Sequence, residues 1–259
     1  MTKIFYFSAT GNSLYVAQVL KDNLRDTEIF SLPKELHNKN FGVDAENVGF
    51  IFPLHYGGLP IIVEEFLQKL NFTNTKYIFA ICTCGIPWLG SAFADLQKIL
   101  AAKNLKLNAT WYVRLVSNYL PYRDTAADWR IKLRYIYADW QLSKITRAVA
   151  ENETHKSWEI FKDKCQKMHE DWERRRAALD EKFICDLSKC VKCGMCQKIC
   201  PVQNISRPKG SPVWNHNCVE CLGCLHICPK KAIDFGEITK GRKRYINRNI
   251  KPKDLISGN

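Results

Sequence analysis

The chain has 259 residues, of which 46% are hydrophobic, and a formal net charge of +13. That apolar content can fill a real core, and the length accommodates one or two domains. Nowhere do eighteen apolar residues run together, and Met1 leads straight into the short, strand-like Lys3–Phe7, so neither a membrane span nor a secretory leader is expected, and a cytoplasmic protein is.

From the N-terminus, the β-prone run Lys3–Phe7 gives way to Ser8-Ala9-Thr10-Gly11-Asn12-Ser13 and then to Leu14–Leu20, which has helical periodicity. Strand, small-hydroxyl loop, helix is an order with its own chemistry. Backbone N–H groups and Ser/Thr hydroxyls, aimed by a helix N-terminus, hold a phosphate without Lys or Arg. No Gly-Lys-Ser/Thr closes the loop as in a Walker A motif, and no GxGxxG marks a dinucleotide. An ordinary βα turn with good capping residues is the plainer alternative. Further strand-like runs follow at Glu28–Phe30, Val48–Phe52, Tyr77–Cys82 and Thr110–Leu115, with helical stretches near 61–70 and 88–102. The alternation predicts an α/β domain over residues 1–121.

Phe7–Ser13 resembles the FMN-phosphate loop of flavodoxins. The resemblance implies a doubly wound parallel sheet of order 2-1-3-4-5, with ligands at the carboxyl ends of its first, third and fourth strands. Ser8, Ala9, Thr10, Gly11, Asn12 and Ser13 would then hold the phosphate of FMN. Pro53-Leu54-His55-Tyr56-Gly57-Gly58 is similar to the flavodoxin loop over one isoalloxazine face, with Tyr56 stacking and Gly57 or Gly58 free to turn a carbonyl toward flavin N5. Thr83, Cys84 and Gly85 would line the pyrimidine edge through backbone groups, and Asn118 and Tyr119 match a position near the flavin. Cys84 also reads as a small buried thiol, and His55 as a solvated loop histidine.

Residues 122–183 carry two apolar stripes at helical spacing, Trp129, Leu133, Ile136 and Trp140, then Trp158, Phe161, Cys165, Met168 and Trp172. They predict two amphipathic helices, a connector whose stripes form a core shared by the flanking domains. A lid over the flavin is the alternative.

Ten of the twelve cysteines lie beyond position 164. Cys190-x₂-Cys193-x₂-Cys196-x₃-Cys200-Pro201 recurs 28 residues later as Cys218-x₂-Cys221-x₂-Cys224-x₃-Cys228-Pro229, with Val191/Val219, Ile199/Ile227 and Ile205/Ile233 also matching, an internal duplication. Triplets of this spacing suit two 4Fe-4S clusters. Structural zinc would use separated Cys pairs and leave the third cysteine of each triplet unexplained. The pattern resembles bacterial two-cluster ferredoxins, in which the Cys before Pro ligates the other cluster. That resemblance implies one cluster on Cys190, Cys193, Cys196 and Cys228 and a second on Cys218, Cys221, Cys224 and Cys200. Cys165 and Cys185 have no place in either set. The resemblance thus implies that residues 184–259 form a small α+β two-cluster ferredoxin domain ending in a basic tail.

Taken together, residues 7–13 and 190–229 make the chain similar to fused flavodoxin/ferredoxin proteins, the EFR-family ferredoxins. The resemblance implies FMN and two 4Fe-4S clusters exchanging electrons with an external low-potential partner and an unidentified acceptor. Two clusters with their thiolates carry about −4 and an FMN phosphate about −2, leaving a charge of about +7. The excess gathers in residues 229–259, which hold nine Lys and Arg against Asp234, Glu237 and Asp254. A solvated tail is the plain reading, a docking face for an acidic redox protein the next, and nucleic acid is not expected. A carrier serving only proteins and a reductase of a small organic acceptor both remain open.

Overall fold

The computed structural model describes residues 1–256. The first half runs β1 (Thr2–Tyr6), α1 (Asn12–Asn23), β2 (Thr27–Ser31), α2 (Leu32–His37), β3 (Gly42–Asp44) and β4 (Asn47–Pro53). It continues through α3 (Ile61–Lys69), β5 (Asn71–Thr73), β6 (Tyr77–Cys84), α4 (Ala92–Ala101) and β7 (Ala109–Arg114). Five strands form one parallel sheet in the order β2-β1-β4-β6-β7. This is the flavodoxin-like 2-1-3-4-5 order of a doubly wound sheet. β6 is buried along its whole length and β4 at all but its ends, as their near-continuous apolar runs require of parallel strands covered on both faces. The three-residue strands β3 and β5, paired beside the sheet, and the single turns of α2 are too short to leave a periodic signal. α4 starts at Ala92 rather than near 88, because Ser91 is drawn out of the helix: its N–H donates to Gly57 O at 2.7 Å and its hydroxyl to Asp95 at 2.9 Å.

Apolar side chains pack on both faces of the sheet. On one, Phe5, Phe50, Phe52 and Ala80 meet Val63, Phe66, Phe93 and Leu96 of α3 and α4. On the other, Ile4, Ile51, Ile81 and Val113 meet Leu14, Val16 and Leu20 of α1. α5 (Asp128–Ala150) closes this second face through Tyr135, Ala138, Leu142, Ile145 and Val149. The stripe expected to be buried, Trp129, Leu133, Ile136 and Trp140, is 51–61% exposed. Both stripes repeat at helical spacing. The sheet takes the one with Ala138 and Thr146, which allow close approach of the helix, and the tryptophans face outward.

α6 (Lys162–Leu179) follows, then β8 (Phe183–Cys185), α7 (Met195–Lys198), β9 (Ile205–Ser206), β10 (Val213–Trp214), α8 (Gly223–Ile227), β11 (Ile233–Phe235) and α9 (Pro252–Ile256). β8 pairs with β11 and β9 with β10, both antiparallel, which gives the cysteine-rich segment a small α+β architecture. Ile199, Leu222, Leu225, Ile227 and Phe235 belong to the same apolar core as α1 and α5.

The basic C-terminal segment folds back instead of lying in solvent. Tyr245, Asn247, Ile250 and Leu255 are all buried, Arg244 pairs with Asp234 at 2.6 Å with both side chains largely covered, and Lys243 pairs with Asp128. Lys243, Arg248, Lys251 and Lys253 stay exposed, while Tyr245, Ile250 and Leu255 join the apolar core that includes α1. Among the described residues no helix is long and apolar enough to cross a membrane.

Because Ile250 is 5% exposed, Ile250→Ala should cost about 2–4 kcal/mol of stability in chemical denaturation. A change below about 0.5 kcal/mol would return the segment to solvent.

Candidate redox site

The loops at the carboxyl ends of β1, β4, β6 and β7 open on one cavity of about 740 Å³, within the roughly 300–1,000 Å³ of small-molecule sites. All the residues expected at a flavin line it except Gly11 and Gly58. Those two let neighbours close in. A Cβ on Gly11, at φ +96°, would stand 2.9 Å from Asn247, and one on Gly58 would stand 2.4 Å from the His169 ring.

At the phosphate loop, α1 has no side-chain cap, and its first amide to find a carbonyl is Tyr15 N, bonded to Gly11 O at 2.9 Å. The N–H groups of Asn12, Ser13 and Leu14 precede it, the donors an anion takes at a helix N-terminus. The side chains hold the loop itself. Asn118 donates to Thr10 Oγ1 at 2.6 Å, Asn12 donates to Val116 O at 3.0 Å, and the Ser13 and Thr83 hydroxyls share a bond of 2.9 Å. From the C-terminal segment, Asn247 N–H donates to Thr10 O at 2.8 Å, and Tyr245 hydroxyl donates to Asn12 Oδ1 at 2.7 Å. The loop therefore suits a phosphate held by backbone donors.

Tyr56 lines the cavity with its ring stacked on Trp172, centroids 5.0 Å apart. Glu220 Oε1 accepts from the Tyr56 and Tyr119 hydroxyls, each at 2.9 Å, and Oε2 accepts from Trp172 Nε1 at 2.9 Å. Burial, then the Glu220 charge, pushes both phenols well above their ordinary range. The Gly57 carbonyl is engaged by Ser91. His55, edge-on to Phe7 and Trp172, is lowered to about 3 by burial and by His169, so it is neutral near pH 7. Burial raises the Cys84 thiol to about 12, which keeps it protonated.

The cysteines gather in two further cavities. One is lined by Cys190, Cys193, Cys196 and Cys228, the other by Cys200, Cys218, Cys221 and Cys224. In each, the residue before Pro comes from the opposite repeat. Asn204 N–H reaches Cys200 Sγ at 3.2 Å, Glu220 N–H reaches Cys218 Sγ at 3.2 Å and Ala232 N–H reaches Cys228 Sγ at 3.3 Å. Trp214 Nε1, a buried N–H without a partner among the described residues, belongs to a side chain lining the second cavity. Burial raises Cys196 to about 11 and Cys221 to about 12. Each cavity is lined by four cysteines, the four-thiolate donor set that 4Fe-4S clusters take. Cys185 stands beside Cys190, raised to about 12 by burial first and its cysteine neighbours second, and lines neither cavity.

The large cavity and the second cysteine cavity share two lining residues, Cys221 and Leu222, whereas the first cysteine cavity shares none with either. Cys221 lines the second cysteine cavity and, with Glu220 and Leu222, the wall of the large one. Sequence reasoning missed Glu220 and Leu222, and placed Trp172 only in an apolar stripe. It also missed His226, whose Nε2 bonds Asn118 O at 2.8 Å while its Nδ1 accepts from Tyr245 N–H at 3.1 Å. The duplication held a signal: at the 28-residue offset the exposed Lys192 and Lys198 of the first repeat become the buried Glu220 and His226 of the second.

Residues 189–233 match the family of 4Fe-4S dicluster domains. No curated protein matches the chain. Among solved structures, a flavodoxin of Streptococcus pneumonia TIGR4 is 16% identical, with a TM-score of 0.34 over 55% of this chain and 98% of that one. An FMN-dependent NADH-azoreductase from Bacillus anthracis, in complex with FMN, is 8% identical, with a TM-score of 0.34 over 56% and 99%. An NAD(P)H:quinone oxidoreductase from Methanothermobacter marburgensis is 12% identical, with a TM-score of 0.36 over 60% and 98%. The fold is defined by strand order and register, independently of these likenesses. The chain thus joins a segment of the 4Fe-4S dicluster type, residues 189–233, to a parallel sheet of flavodoxin-like strand order.

If each cysteine quartet holds a cluster, Cys200→Ser should perturb the one on Cys218, Cys221 and Cys224 and largely spare the other, while Cys185→Ser should leave iron content near wild type. Iron analysis with EPR of the reduced variants checks both, and loss of a whole cluster in Cys185→Ser would contradict the assigned ligands.

Proposed function

We propose that the chain is a fused flavodoxin/ferredoxin electron conduit, carrying two 4Fe-4S clusters and one FMN. In this reading the cluster on Cys190, Cys193, Cys196 and Cys228 exchanges electrons with an external redox protein. The cluster on Cys200, Cys218, Cys221 and Cys224 relays them to or from FMN in the large cavity. Bound FMN would supply the exchange between one-electron and two-electron couples.

The observation that carries the reading is the position of Cys221, shared by the second cluster's cavity and the flavin cavity. The protein's own residues supply the rest. Uncapped α1 amides bind the phosphate, and Asn118 and Asn247 hold the loop in register. Glu220 fixes Tyr56, Tyr119 and Trp172, which close the flavin end against water. At the opposite end Cys193, Val191, Lys192, Lys198 and Lys230 are exposed. A surface of that kind suits an acidic partner protein, since complementary charge speeds docking.

In a rapid-mixing experiment with a low-potential ferredoxin as donor, Cys193→Ser should slow flavin reduction at least about tenfold. Reduction by a small chemical reductant acting at the flavin should be unchanged. Equal rates from the protein donor in wild type and variant would remove the first cluster from the route.

A further inference from the structure

The large cavity has an outer half that the flavin-binding loops do not build. Tyr122 and Arg123, just beyond β7, form one side of it. One face of α6 forms the other, with Phe161 at its N-cap followed by Lys164, Cys165 and Met168 at i+3, i+4 and i+7. Exposure separates the halves: Glu220 at the inner wall is 4% exposed, whereas Phe161 is 65%, Tyr122 is 76% and Met168 is 46% exposed.

The second aromatic stripe of residues 122–183 therefore divides, with Trp172 closing the inner end while Phe161 and Met168 stay open at the mouth. The open Phe161 and Tyr122 rings and the open Met168 thioether give the mouth an apolar surface that a planar ligand would cover. Two cations stand beside them. Lys164 makes no ion pair among the described residues, and the Arg123 guanidinium lies 5.7 Å from the Tyr122 ring centroid with no carboxylate partner. The carboxylate in the cavity lining is Glu220, and its oxygens are already occupied by three donors.

We propose that this outer half is a subsite for a small planar organic anion, a conjugated ring bearing a carboxylate or sulfonate. The ring stacks on Phe161 and Tyr122, and the anion is met by Lys164 and by the planar donor fork of Arg123. The inference rests on the reading that flavin fills the inner half, since the subsite then lies beside it and the protein is a reductase of a small acceptor rather than a carrier serving only proteins.

The test uses the full-length holoprotein and two inert probes of the same shape, 2-naphthoate and the neutral 2-naphthamide. Binding is followed by perturbation of the flavin spectrum and by equilibrium dialysis. Wild type should bind 2-naphthoate at least about tenfold more tightly than 2-naphthamide, the range of a hydrogen bond to a charged group. Lys164→Gln and Arg123→Gln should each shrink that ratio at unchanged iron and flavin content. Phe161→Ala should weaken both probes together and leave the ratio alone. Equal affinity of the two probes for wild type, or an undiminished ratio in both charge variants, would overturn the subsite. If dialysis shows the preference and its loss in the variants while no flavin accompanies the protein, the subsite stands and the conduit reading fails.

Discussion

Burying a carboxylate is unfavourable unless donors surround it, and Glu220 is 4% exposed, between Cys218 and Cys221 of the second cysteine motif. Its donors come from three places. Tyr56 belongs to the loop after β4, Tyr119 follows β7, and Trp172 sits on α6. A single side chain thus fixes the cysteine loop, two flavin-side loops and the helical cover relative to one another. Removing it would strand the buried Trp172 N–H, costing on the order of 1–3 kcal/mol, and leave the Tyr56 and Tyr119 hydroxyls bonded only to each other. The adjacency of Cys221 to the large cavity depends on that arrangement.

The C-terminal segment works as a second fastening. His226, on the helix of the second cysteine motif, bonds the Asn118 carbonyl on one side and the Tyr245 amide on the other. Asn247 carries the connection to Thr10 in the phosphate loop. Phosphate loop, fifth-strand loop and second cysteine motif are joined by backbone as well as side-chain contacts, and one apolar core runs beneath them. A site assembled this way holds the large cavity and the second cysteine cavity at fixed spacing.

The local patterns were legible in the sequence. Val48–Phe52 and Tyr77–Cys82 are long apolar runs, the loop Ser8–Ser13 has a chemistry few other loops share, and the resemblance to two-cluster ferredoxins implied the same cysteine quartets that line the two cysteine cavities. Tertiary choices were not legible. α5 offers two apolar stripes, and only contact with α1 and β7 selects Tyr135, Ala138 and Leu142 over Trp129, Leu133 and Trp140. A tail with nine basic residues reads as solvated, yet Tyr245, Ile250 and Leu255 fall where α1 can bury them. The pairs Lys192/Glu220 and Lys198/His226 were visible as mismatches in the duplication, and they mark which repeat faces solvent and which faces the sheet.

The most direct test is anomalous diffraction at the iron edge from crystals of the anaerobically prepared holoprotein. The account predicts two four-iron peaks, one among Cys190, Cys193, Cys196 and Cys228 and one among Cys200, Cys218, Cys221 and Cys224, with flavin density in the large cavity against Cys221 and Leu222. A single iron site, zinc in place of iron, or flavin bound away from that wall would contradict it.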